Sequence, residues 1–140
     1  MKIHYHFALF LSIVFVIGCG GDPSVSGTVT FPDGSPLDHG EVIFETSAMM
    51  AKGNIQKDGT YTMSTSESKG VPKGSYAVSI GGYVPRTIEP ERGPDGRPLG
   101  SPQFIPVEIP IAEKYLNPST SGLTCDVKGN TKFDIKVEKP

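Results

Sequence analysis

Hydrophobicity in this chain alternates with a period of two, in short runs that are never long enough for a stable helix. Lys132 to Glu138 shows the pattern most cleanly: Phe133, Ile135 and Val137 fall on one side, and Lys132, Asp134, Lys136 and Glu138 on the other. Successive side chains of an extended strand point to opposite faces, so such a run is predicted to be a half-buried strand. Val25 to Phe31 repeats the pattern, with Val25, Gly27, Val29 and Phe31 inward. So do Gly40 to Thr46 (Val42 and Phe44 inward), Ser75 to Ile80 (Tyr76, Val78 and Ile80) and Ser121 to Lys128 (Leu123, Cys125 and Val127). Ala51 to Gln56 and Tyr61 to Thr65 are weaker versions.

Turn chemistry separates these runs. Pro32-Asp33-Gly34-Ser35-Pro36 presets a reversal, and Lys57-Asp58-Gly59-Thr60 has the Asp-Gly signature of a tight hairpin. Gly129-Asn130 is expected to be a two-residue hairpin turn, and Ile111 to Leu116 a single helical turn stopped by Asn117-Pro118. About seven short strands without a helix of three turns predict an all-β fold, a single antiparallel sandwich in which two sheets cover one another's apolar faces. The 17 Gly and 13 Pro suit a turn-rich chain of that kind.

The N-terminus follows a different rule. Met1 to His6 carries one lysine and no acid, and Phe7 to Ile17 is apolar apart from Ser12. A charged start, a short apolar run and a small-residue cleavage site describe a secretory signal. The run is too short for the roughly 20 residues that a transmembrane helix needs. Val16-Ile17-Gly18-Cys19 resembles the lipobox of bacterial lipoproteins. The resemblance implies cleavage between Gly18 and Cys19, residues 1–18 leaving as the signal, and acyl chains on Cys19 that hold the protein to a membrane. Residues 19–24 then form a lipidated tether. Gly20 rather than Asp after the cysteine matches the sorting convention for an outer rather than an inner membrane.

Removing residues 1–18 leaves 122 residues, enough for one domain over residues 25–138. Lys2 leaves with the signal, so 12 basic side chains face 15 acidic ones, a formal charge of −3. No basic run or stripe suggests a nucleic-acid partner. Residues 84–110 interrupt the strand pattern with prolines at 85, 90, 94, 98, 102, 106 and 110. Such a segment cannot form a central strand, because proline donates no ladder hydrogen bond. It is expected to be a solvated insertion or a partner-binding loop, with Arg86, Glu89, Glu91, Arg92 and Arg97 as its candidate contact residues.

Val25-Ser-Gly-Thr-Val29, Asp33-Gly34-Ser-Pro-Leu37 and Gly40-Glu-Val-Ile-Phe44, followed by Asp58-Gly59-Thr-Tyr61 and Gly70-Val-Pro-Lys-Gly-Ser-Tyr76-Ala-Val78, resemble carboxypeptidase regulatory-like domains. Ile111 to Leu123 is similar to the tail of small bacterial lipoproteins of that group. The resemblance covers most of residues 25–83 and 111–138 and omits the proline-rich insertion. It implies a transthyretin-like (prealbumin-like) sandwich acting as an accessory, adhesive or structural module, with no catalytic residues to transfer.

The side-chain inventory gives the same expectation. After cleavage only His39 remains to serve as an imidazole base, and it lies in a turn beside Asp38. Cys125 falls on an inward face, where a thiol stays neutral. Glu89 and Glu91 are paired carboxylates without a rigid frame. Asp33, Asp38, His39 and Glu41 lie close in sequence, but the Asp-Gly steps are explained as turns and no calcium-loop spacing is present. The expectation is a lipid-anchored protein of the cell envelope, facing the periplasm or cell surface, that binds or supports without catalysis and without cofactor or metal. Its expected partners are the membrane and an envelope protein or glycan. The alternative is an accessory subunit that presents the 84–110 loop to an envelope enzyme or transport complex.

Overall fold

A computed structural model describes residues 21–140. Cys19, Gly18 and the expected signal lie outside the described residues. Eight strands form two four-stranded sheets, and two more form a separate ribbon. The first sheet holds β1 (Val25–Thr30), β4 (Thr60–Thr62), β9 (Thr131–Lys132) and β10 (Ile135–Lys136). The second runs in the order β3 (Met50–Asn54), β2 (Glu41–Glu45), β5 (Gly74–Gly81) and β8 (Leu123–Val127). The ribbon pairs β6 (Arg86–Ile88) with β7 (Gln103–Ile105). One 3-10 turn, Glu113–Leu116, stands where the single helical turn is expected.

The all-β sandwich follows from the alternation. Val25, Val29, Val42, Phe44, Val78 and Ile80 are all fully buried, and both sheets contribute to one apolar cluster. Glu41 and Glu45 flank Val42 and Phe44 on the outer side. Gly27 is buried because nothing larger fits: a Cβ there would collide with the Phe133 carbonyl oxygen, which also accepts the Tyr61 hydroxyl at 2.5 Å. At the Asp58-Gly59 turn Gly59 takes φ +81°, and Gln56 N donates to Thr60 O at 2.8 Å. This hairpin carries the chain from one sheet to the other.

Two expectations change. Gly129-Asn130 does not fold β8 back on the next strand. β8 pairs with β5, and the chain then crosses to the first sheet. The crossing is fixed by Asn130, whose Oδ1 accepts Ser24 N, and by Thr131 N donating to Ser24 O, both at 2.9 Å. The last strand is also broken, and its two pieces run parallel to β1, whereas the other ladders are antiparallel. At the break Asp134 Oδ1 accepts both the backbone N–H and the hydroxyl of Thr28, so a side chain occupies a position that the ladder would otherwise fill. Ile135 and Val137 are buried as expected, and Phe133 is half-buried, edge-on to Phe44.

The sandwich has two distinct poles. At one, Val71 N donates to Pro23 O at 2.9 Å and Ser68 Oγ donates to Asp22 Oδ2 at 2.7 Å, so the chain is pinned from Asp22 onward. β5 starts just after this point and ends at Gly81, which is paired with Glu41 at the opposite pole. Residues 84–110 leave and return there.

Candidate functional site

The site of interest is the 84–110 segment and its root. Gly82 turns the chain out of β5 with φ +84°, a conformation open to glycine. Tyr83 then packs edge-on against His39, ring centroids 5.5 Å apart, and its hydroxyl donates to His39 O at 3.4 Å. His39 Nδ1 lies 2.6 Å from Asp38 Oδ1, and this bond holds the Asp38 carboxyl below its usual range. Burial, with the Asp38 charge second, pushes the Tyr83 hydroxyl up to about 12. On the return side Ile111 is buried and Ala112 N donates to Glu138 O at 2.9 Å. Both ends of the segment are therefore fixed to the sandwich.

Between those ends the segment is an arm with its own order. Arg86, Thr87 and Ile88 pair with Ile105, Phe104 and Gln103. Beyond the ribbon, Leu99 N donates to Glu91 O at 2.7 Å, and the tip closes through Gly93 N to Arg97 O at 2.8 Å. Proline spacing excludes a central strand, as expected, yet leaves room for three-residue ladders between prolines.

The five charged candidates all lie on this arm and are split by it. Arg92 Nη1 donates to Gly96 O at 3.0 Å, and Arg97 Nε sits 3.7 Å from Asp95 Oδ2, so these two arginines help to hold the tip. Arg86 lies in the ribbon, while Glu89 and Glu91 follow it toward the tip, Glu91 through its backbone carbonyl.

Sequence reasoning missed the arm's apolar side chains. Among the described residues seven large hydrophobics are exposed, and six of them are Val84, Ile88, Leu99, Phe104, Ile105 and Ile109. Phe104 is 77% exposed and Leu99 70%. The signal was in the sequence, as bulky apolar residues in a run with no strand or helix period to bury them. Clustered exposed apolar groups mark contact surfaces more often than scattered ones do.

The other chemistry-bearing groups have different roles. Asp33 and Asp58 cap their own turns, accepting Ser35 and Thr60 N–H at 2.9 and 3.0 Å, and those hydroxyls and N–H groups lower both carboxyl pKa values. Cys125 is buried and its thiol is pushed up by that burial. The His39 ring is oriented by a carboxylate and a phenol, an arrangement with no activated nucleophile. Among the described residues, no three His, Cys, Asp or Glu side chains gather closely enough to hold a metal ion. A polar cleft of about 480 Å³ lies beside β3 and β4, where Lys52 Nζ and Glu41 Oε2 pair at 3.3 Å. No described helix is long and apolar enough to cross a membrane. Set against known protein families, curated proteins and solved structures, the chain matches none.

Proposed function

We propose that this protein is a lipid-anchored component of the cell envelope whose sandwich, of transthyretin-like kind, serves as a non-catalytic binding module, with the 84–110 arm as its contact surface. One observation carries the reading: the exposed large apolar side chains gather on the arm, at the pole opposite the tether. A core closed on both faces frees the sandwich to act as a stalk, and polar groups are satisfied inside it, since no buried side-chain nitrogen or oxygen among the described residues lacks a partner. The pole opposite the tether also suits presentation of the arm to an envelope enzyme or transport complex.

The anchor is tested by intact mass and by detergent phase partitioning of the wild type and Cys19→Ser. The wild type is expected to carry acyl chains at Cys19 and to enter the detergent phase, and the variant to remain an unacylated precursor. The same acylated N-terminus in the variant would overturn the anchor. The contact surface is tested by replacing residues 84–110 with a short Gly-Ser linker. An unchanged fold with loss of the chain's cross-linked adducts in membranes is expected, and adducts that persist would move the contact to the sandwich.

A further inference from the structure

Among the described residues, Met50 is the large exposed hydrophobic that lies off the arm. It stands at one end of a groove that follows β3. The groove joins the polar cleft of about 480 Å³ to an adjoining cleft of about 360 Å³, with Lys52 and Ser64 lining both.

Alternation builds the groove's walls. The pattern that turns Ala51, Ile55, Tyr61 and Met63 inward turns Lys52, Asn54 and Gln56 outward on one side, and Thr60, Thr62 and Ser64 outward on the other. The two rows are locked close together. Lys52 N donates to Ser64 O and Ser64 N to Lys52 O, both at 2.9 Å. A Cβ at Gly53 would stand 2.8 Å from the Thr62 carbonyl oxygen, so glycine permits this approach. β3 is paired with β2 at every residue, which fixes its side chains before any ligand arrives and lowers the cost of ordering them.

The lining selects the ligand's chemistry. Lys52 and Glu41 neutralise one another at 3.3 Å, so the larger cleft presents no net charge. The other polar groups are amides and hydroxyls. Among the described residues the side chains of Asn54, Thr62 and Ser64 have no hydrogen-bond partner, and the Gln56 amide donates once, to Asn54 O at 3.3 Å. Amides and hydroxyls both donate and accept, which is what a row of neighbouring hydroxyls requires. Tyr61 is buried, so it offers no face on which a planar base could stack. An extended peptide adding to the sheet would need the free backbone edge of β3, and at Lys52 that edge is already paired with Ser64. Met50 supplies an apolar contact of the kind that the C–H face of a sugar ring takes.

We propose that this groove binds a neutral saccharide in extended form, its hydroxyls held by Asn54, Gln56, Thr62 and Ser64 and one ring lying against Met50. The site is separate from the arm and independent of the anchor. The test is a magnetic-resonance titration of the isotope-labelled full chain, in a detergent without a sugar headgroup, with cellohexaose, chitohexaose and maltohexaose. At least one is expected to shift the side-chain amides of Asn54 and Gln56 and the backbone amides of Thr62 and Ser64 saturably. Asn54→Ala and Thr62→Ala are each expected to weaken that binding about threefold to tenfold with the melting temperature unchanged. Thr124→Ala, on the exposed side of β8, is expected to leave it unaltered. Absence of a saturable shift with all three sugars overturns the proposal. Shifts confined to the arm, or full affinity in both groove variants, overturn this groove as the site. A neutral Gly-Ser-Asn hexapeptide that saturates the same amides at equal or lower concentration overturns the saccharide as occupant.

Discussion

Phe44 and Phe104 are the same residue in two regions of one chain, and the regions treat them in opposite ways. Phe44 is fully buried between the sheets, beside Tyr76 and Phe133. Phe104 stands in water on a ribbon whose every residue is exposed. The sandwich buries its apolar side chains through alternation and two facing sheets. The arm has neither a second layer nor a long enough ladder, so its apolar side chains contribute nothing to a core and remain free for contact. Stability and surface chemistry are thus divided between separate stretches of sequence.

Phe44→Ala is expected to cost about 3–5 kcal/mol in urea unfolding, through lost burial and a residual cavity. Phe104→Ala is expected to stay within about 0.5 kcal/mol. Comparable losses would show that the arm is part of the core. Thiol chemistry sharpens the same contrast kinetically. Native Cys125 is expected to react with a thiol reagent at least about 100-fold more slowly than a cysteine introduced by Leu99→Cys, because the buried thiol must wait for opening. Equal rates would mean that β8 is open to solvent.

A smaller effect is expected at the pole where Asp22 and Pro23 are held. A Cβ at Gly70 would collide with the backbone of Asp22. Gly70→Ala is expected to cost about 1–2 kcal/mol and to speed hydrogen exchange at the Val71 amide, while the arm's amides exchange as before. Unchanged exchange at Val71 would show that the Asp22–Pro23 segment is not held there. The smallest effect concerns acid. The Thr28 hydroxyl holds the Asp134 carboxyl below its ordinary 3.8, so the stability it lends is present above about pH 4 and is lost as pH falls through the folded-state value. Asp134→Asn is expected to flatten that part of the pH profile; a profile as steep as the wild type would assign the acid sensitivity elsewhere.

How far the sequence foretold these regions follows the same division. Period-two alternation tells which face a residue takes, and it places Val42, Phe44, Tyr76, Val78 and Ile80 inside correctly. It says nothing of which strand is the neighbour. The unbroken pattern from Lys132 to Glu138 therefore hides both the parallel pairing with β1 and the break where the Asp134 side chain accepts the Thr28 N–H and hydroxyl, since both partners lie far off in sequence. The Gly129-Asn130 step looks like a hairpin for the same reason, because its long-range bonds to Ser24 are not local information. In the arm the prolines and charges were legible. The exposure of Phe104 and Leu99 could be read only from the missing strand or helix period around them, a weaker sign than the prolines and charges that dominate the same run.

One feature of the sandwich bears on how it would respond to mechanical load. β5 begins at the pole where Asp22 and Pro23 are pinned and ends at the pole where the arm departs, with β2 along one edge and β8 along the other. A pull between the two poles acts along the length of this central strand. Its ladders to both neighbours are then loaded in shear, all bonds together, rather than peeled one at a time. The strand that separates the Asp22 pole from the arm is also the one best placed to carry force between them.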